Sequence, residues 1–229
     1  MTTAKTNPQS DAVMEVLDGF DQDVACHLEL AEKMFRAFDG ATYPLDVLAA
    51  AAINRSINLA RGFRQMIASR NMICGGALLR LEMDTAFRFA ASWFVPDPHA
   101  FATEVLKGTR IQKLKDRDGD LLTDRHLVTL LSPTFPWIDR VYERTCSYVH
   151  LSETHMHTVL RADGGSEPRF RISVGSGDPA DITDQIYLEA VAAFRECTSI
   201  LRYYVEGWVL TKSHPELIEK GRVSEHPPA

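Results

Sequence analysis

Apolar residues near the start of this chain recur at intervals of three and four positions. The set comprises Val13, Leu17, Phe20, Val24, Leu28, Ala31, Phe35 and Phe38. An α-helix takes 3.6 residues per turn, so this spacing gathers the side chains on one face. The pattern predicts one long amphipathic helix, which Gly40 and Pro44 end. A chain that begins in this way has to bury that face against further elements.

Helical spacing continues along most of the sequence. It predicts further helices over residues 45–69, 73–95, 99–114, 137–151 and 183–211, and a short helix that Thr123 caps and that runs to residue 131. We expect the last of these to be the longest helix of the C-terminal half. Its apolar stripe predicts that Phe194, Leu201 and Trp208 are buried, because helices in proteins are stabilised mainly by such packing.

One region has a different period. Residues 157–161 and 170–174 alternate in polarity, and Asp163, Gly164 and Gly165 lie between them, which is typical of a β-hairpin. The predicted fold class is therefore mainly all-α, a helical bundle of about five main helices with a small β-hairpin inserted at about residues 156–177. We expect one domain over residues 11–212, a disordered N-terminus over residues 1–10 and a flexible tail over residues 213–229.

Composition and charge exclude several classes of protein. The net charge of −6 argues against broad, non-specific binding of nucleic acid, which depends on neutralising phosphates. The four cysteines are far apart in sequence, which predicts reduced thiols and neither disulfides nor a zinc site. Acidic residues crowd the first thirty positions, and no apolar run approaches the ~18 residues of a membrane span. We expect a soluble, cytoplasmic protein with no membrane partner.

Arg144 and His150 are the strongest candidates for chemistry. They lie six positions apart on a predicted helix, about 120° apart around its axis and about 9 Å along it. Cleavage of RNA through the 2′-hydroxyl needs a group that moves protons and a positive group on the phosphate. Histidine exchanges protons near neutral pH, and arginine binds phosphate through two parallel hydrogen bonds. The pair thus fits RNA cleavage that needs no metal and no cofactor.

The spacing of Arg144 and His150 resembles the R-x(4–6)-H signature of the HEPN superfamily (higher eukaryotes and prokaryotes nucleotide-binding). The runs LRLE at residues 79–82, DGDLLTD at 118–124 and YVHLS at 148–152 are also similar to an uncharacterised HEPN-like family. The resemblance covers roughly residues 72–155. It implies a helical bundle, often a dimeric ribonuclease in toxin–antitoxin, abortive-infection or CRISPR systems, with Arg144 on the phosphate and His150 moving the proton.

Other polar residues could line such a site. Ser147 and Glu153 lie close to the pair in sequence. Arg80, Asp84 and Arg88 are four positions apart and so share one helix face. They could form a polar floor beneath the Arg144/His150 cleft or an exposed row of ion pairs.

A basic stretch and two potential metal sites complete the candidates. The possible nucleic-acid contacts are Lys107, Arg110, Lys113, Lys115 and Arg117. The stretch that begins at Asp116 lacks the glycine and glutamate that an EF-hand loop requires at its sixth and twelfth positions, so calcium is rejected. His150, His155 and His157 form a cluster, and two of them together with Cys146 would suit zinc. The cluster spans a predicted helix end, however, and no distant Cys/His pair completes a set of four ligands. No metal site is predicted.

Two functions from different classes remain open. The first is a metal-independent ribonuclease of the toxin or defence type, acting on RNA as a homodimer. The second is a non-catalytic nucleotide-binding or protein-interaction module, with a cognate regulatory protein as its partner. The basic stretch favours the first. The acidic net charge favours the second, as does Thr145, which follows Arg144 where many active HEPN proteins carry a strongly polar residue.

Overall fold

A computed structural model describes residues 8–163, 169–175, 177–179, 181–214 and 216. In this part of the chain the helices are α1 (Asp11–Asp18), α2 (Phe20–Arg36), α3 (Pro44–Ala68), α4 (Met72–Ala90), α5 (Pro98–Leu106), α6 (Asp124–Leu131), α7 (Ile138–Val149), α8 (Glu153–Val159) and α9 (Asp184–Lys212). Strands β1 (Leu160–Asp163) and β2 (Arg169–Ile172) lie between α8 and α9. The protein is therefore mainly helical, as predicted, but it has more helices than the expected five.

Helix α4 lies at the centre of the bundle and packs against α3, α7 and α9. Beside it, the rings of Phe20, Phe63 and Phe194 join α2, α3 and α9, and the centroids of Phe63 and Phe194 are 4.4 Å apart. Helix α9 spans 29 residues and buries Phe194, Leu201 and Trp208 completely, which confirms the prediction for the last helix. No described helix is both long and apolar enough to cross a bilayer.

The predicted long N-terminal helix is in fact two helices. Gly19 separates α1 from α2, consistent with the weak helix propensity of glycine. Along α2 the buried face also differs from the predicted stripe by one position, so Leu28 and Phe35 are exposed while Asp23 and His27 are buried. The spacing of apolar residues could not predict this face, because two of its buried residues, Asp23 and His27, are polar.

Contacts at the N-terminal end of the described chain extend beyond α1. Gln9 donates a hydrogen bond to the carbonyl of Ile67, and the Ser10 hydroxyl caps α1. Residues 1–7, and of the expected tail Pro215 and residues 217–229, lie outside the described part of the chain.

Little of the region predicted as a β-hairpin is strand. Residues His157 to Val159 were expected in a strand but belong to α8, because the Ser152 and His155 side chains cap a helical turn there. Strands β1 and β2 have four residues each and pair antiparallel, with Leu160 opposite Ile172. The expected turn at Gly164 and Gly165 lies outside the described residues. The predicted helix over residues 99–114 likewise ends at Leu106, before a separate 3-10 turn at Ile111–Lys113.

Candidate functional site

A cleft with a volume of about 540 Å³ opens between α4, α7 and α9. Its wall is largely apolar and includes Met72, Leu79, Val141, Ile186, Ala190 and Ala193. Arginine and glutamate side chains line the remainder, together with Trp137 and Tyr148. This size and mixture of surfaces are typical of small-molecule sites, which run from roughly 300 to 1,000 Å³.

The charged part of the cleft combines two arginines of α7 with two glutamates of α9. Arg140 and Arg144 are four residues apart on α7, so they share one face of that helix. Arg144 lies 3.4 Å from the Glu189 carboxylate, with both side chains more than half exposed. The side chain of Arg140 makes no hydrogen bond or ion pair with another described residue. Glu196 completes the lining on the α9 side.

Tyr148 fixes the position of α7 against α4. Its ring packs so closely on Gly76 that a Cβ atom there would lie 2.5 Å from the ring carbons. Burial raises the pKa of the Tyr148 hydroxyl, while Arg144 acts in the opposite direction. The hydroxyl is therefore neutral at physiological pH and available as a hydrogen-bond donor beside Arg144.

Thr145 lines the cleft but its hydroxyl is already engaged. It is buried, and its Oγ1 donates to the carbonyl of Val141 at 2.8 Å. The Thr145 hydroxyl therefore has no free hydrogen to donate to a ligand in the cleft.

His150 is separated from the residues that line the cleft. It is the first residue after α7, is exposed, and has extended backbone with φ −108° and ψ 141°. Arg144 lines the cleft, and His150 is not among the lining residues. Ser147 and Glu153 are also outside this set; the Ser147 hydroxyl donates to the carbonyl of Arg144 at 2.8 Å. Within one chain, the cleft thus holds the arginine of the predicted pair without the histidine.

Arg80, Asp84 and Arg88 form neither an exposed row nor the floor of the cleft. Arg80 is buried, its Nη2 lies 3.0 Å from Asp124 Oδ2, and its guanidinium stacks over the Tyr142 ring. Arg88 bridges Asp84 and Asp124. The row is therefore ion-paired, as one interpretation predicted, but it is largely buried, because Asp124 at the start of α6 pairs with both arginines and ties α6 to α4.

The DGDLLTD run is organised by Asp116. Its Oδ1 accepts the backbone N–H groups of Asp118 and Asp120, and its Oδ2 lies 2.7 Å from His126 Nε2. Burial opposes ionisation of Asp116, but the hydrogen bonds from His126 and the backbone outweigh it and lower the pKa. Asp116, Asp120 and His126 bring three potential metal ligands within 4.8 Å of one another. Both carboxylate oxygens of Asp116 already make hydrogen bonds, Oδ1 with the backbone of the turn and Oδ2 with His126.

The basic stretch lies between α5 and α6, and none of its members lines the cleft. Lys107, Arg110, Lys113, Lys115 and Arg117 are all exposed. Lys107 pairs with Glu104, and Arg117 donates to the carbonyl of Trp93.

Sequence reasoning missed Arg140, Tyr148, Glu189 and Glu196 as members of the site. Arg140 carried a usable signal, because it lies one helical turn before Arg144. Glu189 and Glu196 carried none, since their position depends on how α9 packs against α7.

Comparison with family models, curated proteins and solved structures gives no match for this chain.

Proposed function

We propose that this chain is a nucleotide- or RNA-binding helical module of HEPN-like type, whose ligand occupies the cleft between α4, α7 and α9. The observation that carries the proposal is the presence of Arg144, with Arg140, at the edge of a cleft that is otherwise mainly apolar. The ligand's phosphate binds the two arginines, and its base lies against the apolar wall.

The ion pair between Arg144 and Glu189 is weak enough for a phosphate to replace Glu189 as the partner of Arg144. Exposed pairs of this kind contribute only about 0–1 kcal/mol, because solvent screens them. A phosphate offers Arg144 two parallel charge-assisted hydrogen bonds, which are stronger than a single long contact to a carboxylate. Arg140, which makes no ion pair with another described residue, supplies the second positive charge.

The remaining lining suits the rest of a nucleotide. Trp137 presents an aromatic surface, and stacking on such a surface contributes about 1–3 kcal/mol per base. Glu189 and Glu196 carry hydrogen-bond acceptors for base N–H groups or ribose hydroxyls. The two glutamates also balance the two arginines, so the cleft favours a defined ligand over nucleic acid in general.

Equilibrium binding tests the proposal, with AMP measured by calorimetry and a labelled single-stranded RNA measured by fluorescence anisotropy. Arg144→Lys retains the charge but loses the two-pronged geometry, so we expect at least a tenfold loss of affinity. Glu189→Gln frees Arg144 and should strengthen binding. Arg36→Lys is the matched control, because Arg36 is an exposed arginine of α2 that pairs with Glu32.

The proposal is wrong if neither probe binds the folded protein at millimolar concentration. It is equally wrong if Arg144→Lys and Arg36→Lys weaken binding to the same extent, since that result would show that the loss is not specific to the arginine of the cleft.

A second candidate is a metal-independent ribonuclease. The observation that favours it is the apolar surface around His150, where Val149 and the 90% exposed Leu151 face solvent. In this proposal two chains pair through this surface, and the His150 of one chain completes the cleft of its neighbour. The module would then cleave RNA, with His150 moving the proton and Arg144 holding the phosphate.

The ribonuclease makes a distinct prediction. His150→Ala should lower the rate of RNA cleavage by about 100- to 10,000-fold while leaving AMP affinity unchanged, and a chelator should have no effect. The protein should also sediment as a homodimer at micromolar concentration. A monomer, or cleavage that survives His150→Ala, would exclude the ribonuclease and leave the binding module standing.

A further inference from the structure

Three polar side chains form a continuous chain of contacts inside the bundle. His27 of α2 lies 3.3 Å from the Ser56 hydroxyl of α3, measured from Nε2 to Oγ. The Ser56 hydroxyl lies 2.6 Å from Glu82 Oε1 of α4. All three residues are buried, at 2% exposure or less. None of them lines the cleft, so the proposed function does not use them.

The positions of the hydrogens follow from the partners. His27 Nδ1 lies 2.9 Å from the carbonyl oxygen of Asp23, which only accepts, so Nδ1 carries a hydrogen. Ser56 has one hydroxyl hydrogen and cannot donate to His27 Nε2 and Glu82 Oε1 together. Both contacts are hydrogen bonds only when one further proton is present, on Glu82 or on His27 Nε2.

The surroundings place that proton on Glu82. Glu82 Oε2 is buried and has no hydrogen-bond partner among the described residues, so ionisation would leave negative charge without a donor. Burial raises the pKa of Glu82 to about 7, against the hydrogen bonds that Ser56 and Thr198 can donate to the ionised carboxylate and against the charge of Arg55. Burial also lowers the pKa of His27, against the hydrogen bond to the Asp23 carbonyl.

Charged and titratable groups of α2, α3 and α9 surround His27, Ser56 and Glu82. Asp23 of α2 is ion-paired with Arg195 of α9, at 2.8 Å between Oδ2 and Nε. Arg55 belongs to α3 and acts on Glu82, whereas Arg202 of α9 acts on His27. Cys197 of α9 is fully buried near Glu82, and burial raises the pKa of its thiol, so it stays neutral.

We infer that His27, Ser56 and Glu82 form a buried relay that holds one proton, and that the fold is most stable while the relay keeps it. With the proton in place, Glu82 donates to Ser56, Ser56 donates to His27 Nε2, and His27 donates to the Asp23 carbonyl. When the proton leaves, one contact between α2, α3 and α4 ceases to be a hydrogen bond. The bundle then carries an unpaired buried carboxylate.

The dependence of stability on pH follows from counting protons. In the unfolded chain Glu82 titrates near pH 4.3 and His27 near pH 6.5, so between these values it binds one proton, like the folded relay. Between about pH 6.5 and about pH 7 the unfolded chain loses its proton before the folded chain does, so stability falls as pH rises and then levels off. Below about pH 4.3 the unfolded chain binds two protons, and stability falls as pH falls.

Glu82→Gln isolates the proton, because the Gln amide donates to Ser56 at every pH. Denaturant unfolding of the native chain and of this variant should be compared from pH 4 to pH 9. The unfolding constant of the native chain, divided by that of the variant, should rise by up to tenfold per pH unit from about pH 4.3 to about pH 7 and then level off. Glu206→Gln, an exposed position on α9, should leave the ratio flat.

Infrared spectroscopy tests the relay in the native chain alone. At pH 6 the spectrum should contain the C=O band of a neutral carboxyl, and this band should disappear with a midpoint near pH 7. The band should be absent from Glu82→Gln. A ratio that stays flat for Glu82→Gln, or a native chain without the band at pH 6, would overturn the inference.

Discussion

Lys212 and Asp46 are both fully buried and pair at 3.0 Å between Nζ and Oδ2. The Asp46 carboxylate also accepts hydrogen bonds from Trp208 Nε1 and from the backbone N–H of Tyr43. Lys212 donates to the carbonyl of Met34 as well. Buried charges are tolerated only when they are paired and hydrogen-bonded in this way. This cluster therefore fixes the end of α9 against α2 and α3.

Asp46→Asn should destabilise the fold by about 3–5 kcal/mol, because it leaves the Lys212 charge buried without its partner. Urea unfolding measures the change. The matched control is Glu32→Gln, which removes the exposed Arg36 pair and should cost less than about 1 kcal/mol. Equal effects of the two substitutions would show that the buried pair has no special role.

At the scale of elements, the sequence was most informative about where the helices lie. The periodic stripes predicted the existence of α3, α4, α7 and α9, because their faces are buried against neighbours. Thr123 also caps α6 as expected, accepting from the backbone N–H of His126. The alternation over residues 157–161 misled, since a run that short fits a helix end as well as a strand. Partners such as Asp124 for Arg80 could not be predicted, because helix packing determines them.

Packing of α7 on α4 depends on the absence of a side chain at position 76. Gly76→Ala should destabilise the protein by about 1–3 kcal/mol, because the added methyl group collides with the Tyr148 ring. Gly62→Ala is a matched control in α3, where the nearest atom, from Leu78, is at an ordinary 3.4 Å. It should be neutral or stabilise by up to about 1 kcal/mol, through helix propensity. Thermal unfolding that ranks the two variants in the opposite order would contradict this account of the contact.

At the scale of the whole molecule, the cleft is a product of the complete fold. Its walls come from α4, α7 and α9, which are far apart in sequence and meet only when the bundle closes. The sequence singled out Arg144 from its spacing to His150, yet the cleft surrounds Arg144 with residues of two other helices. A motif can thus identify one member of a site, while the partners depend on packing over the whole chain.

The central claim is that a phosphate-bearing nucleotide occupies this cleft. The most direct test is NMR of methyl-labelled alanine during titration with AMP, because Ala190 and Ala193 lie in the cleft wall. We expect the resonances of these two methyl groups to shift with saturation, while that of Ala102, buried in α5, stays unchanged. In Arg144→Lys, the apparent affinity for AMP that is obtained from these shifts should be at least tenfold lower. Saturating shifts elsewhere in the protein, with Ala190 and Ala193 unaffected, would contradict the claim.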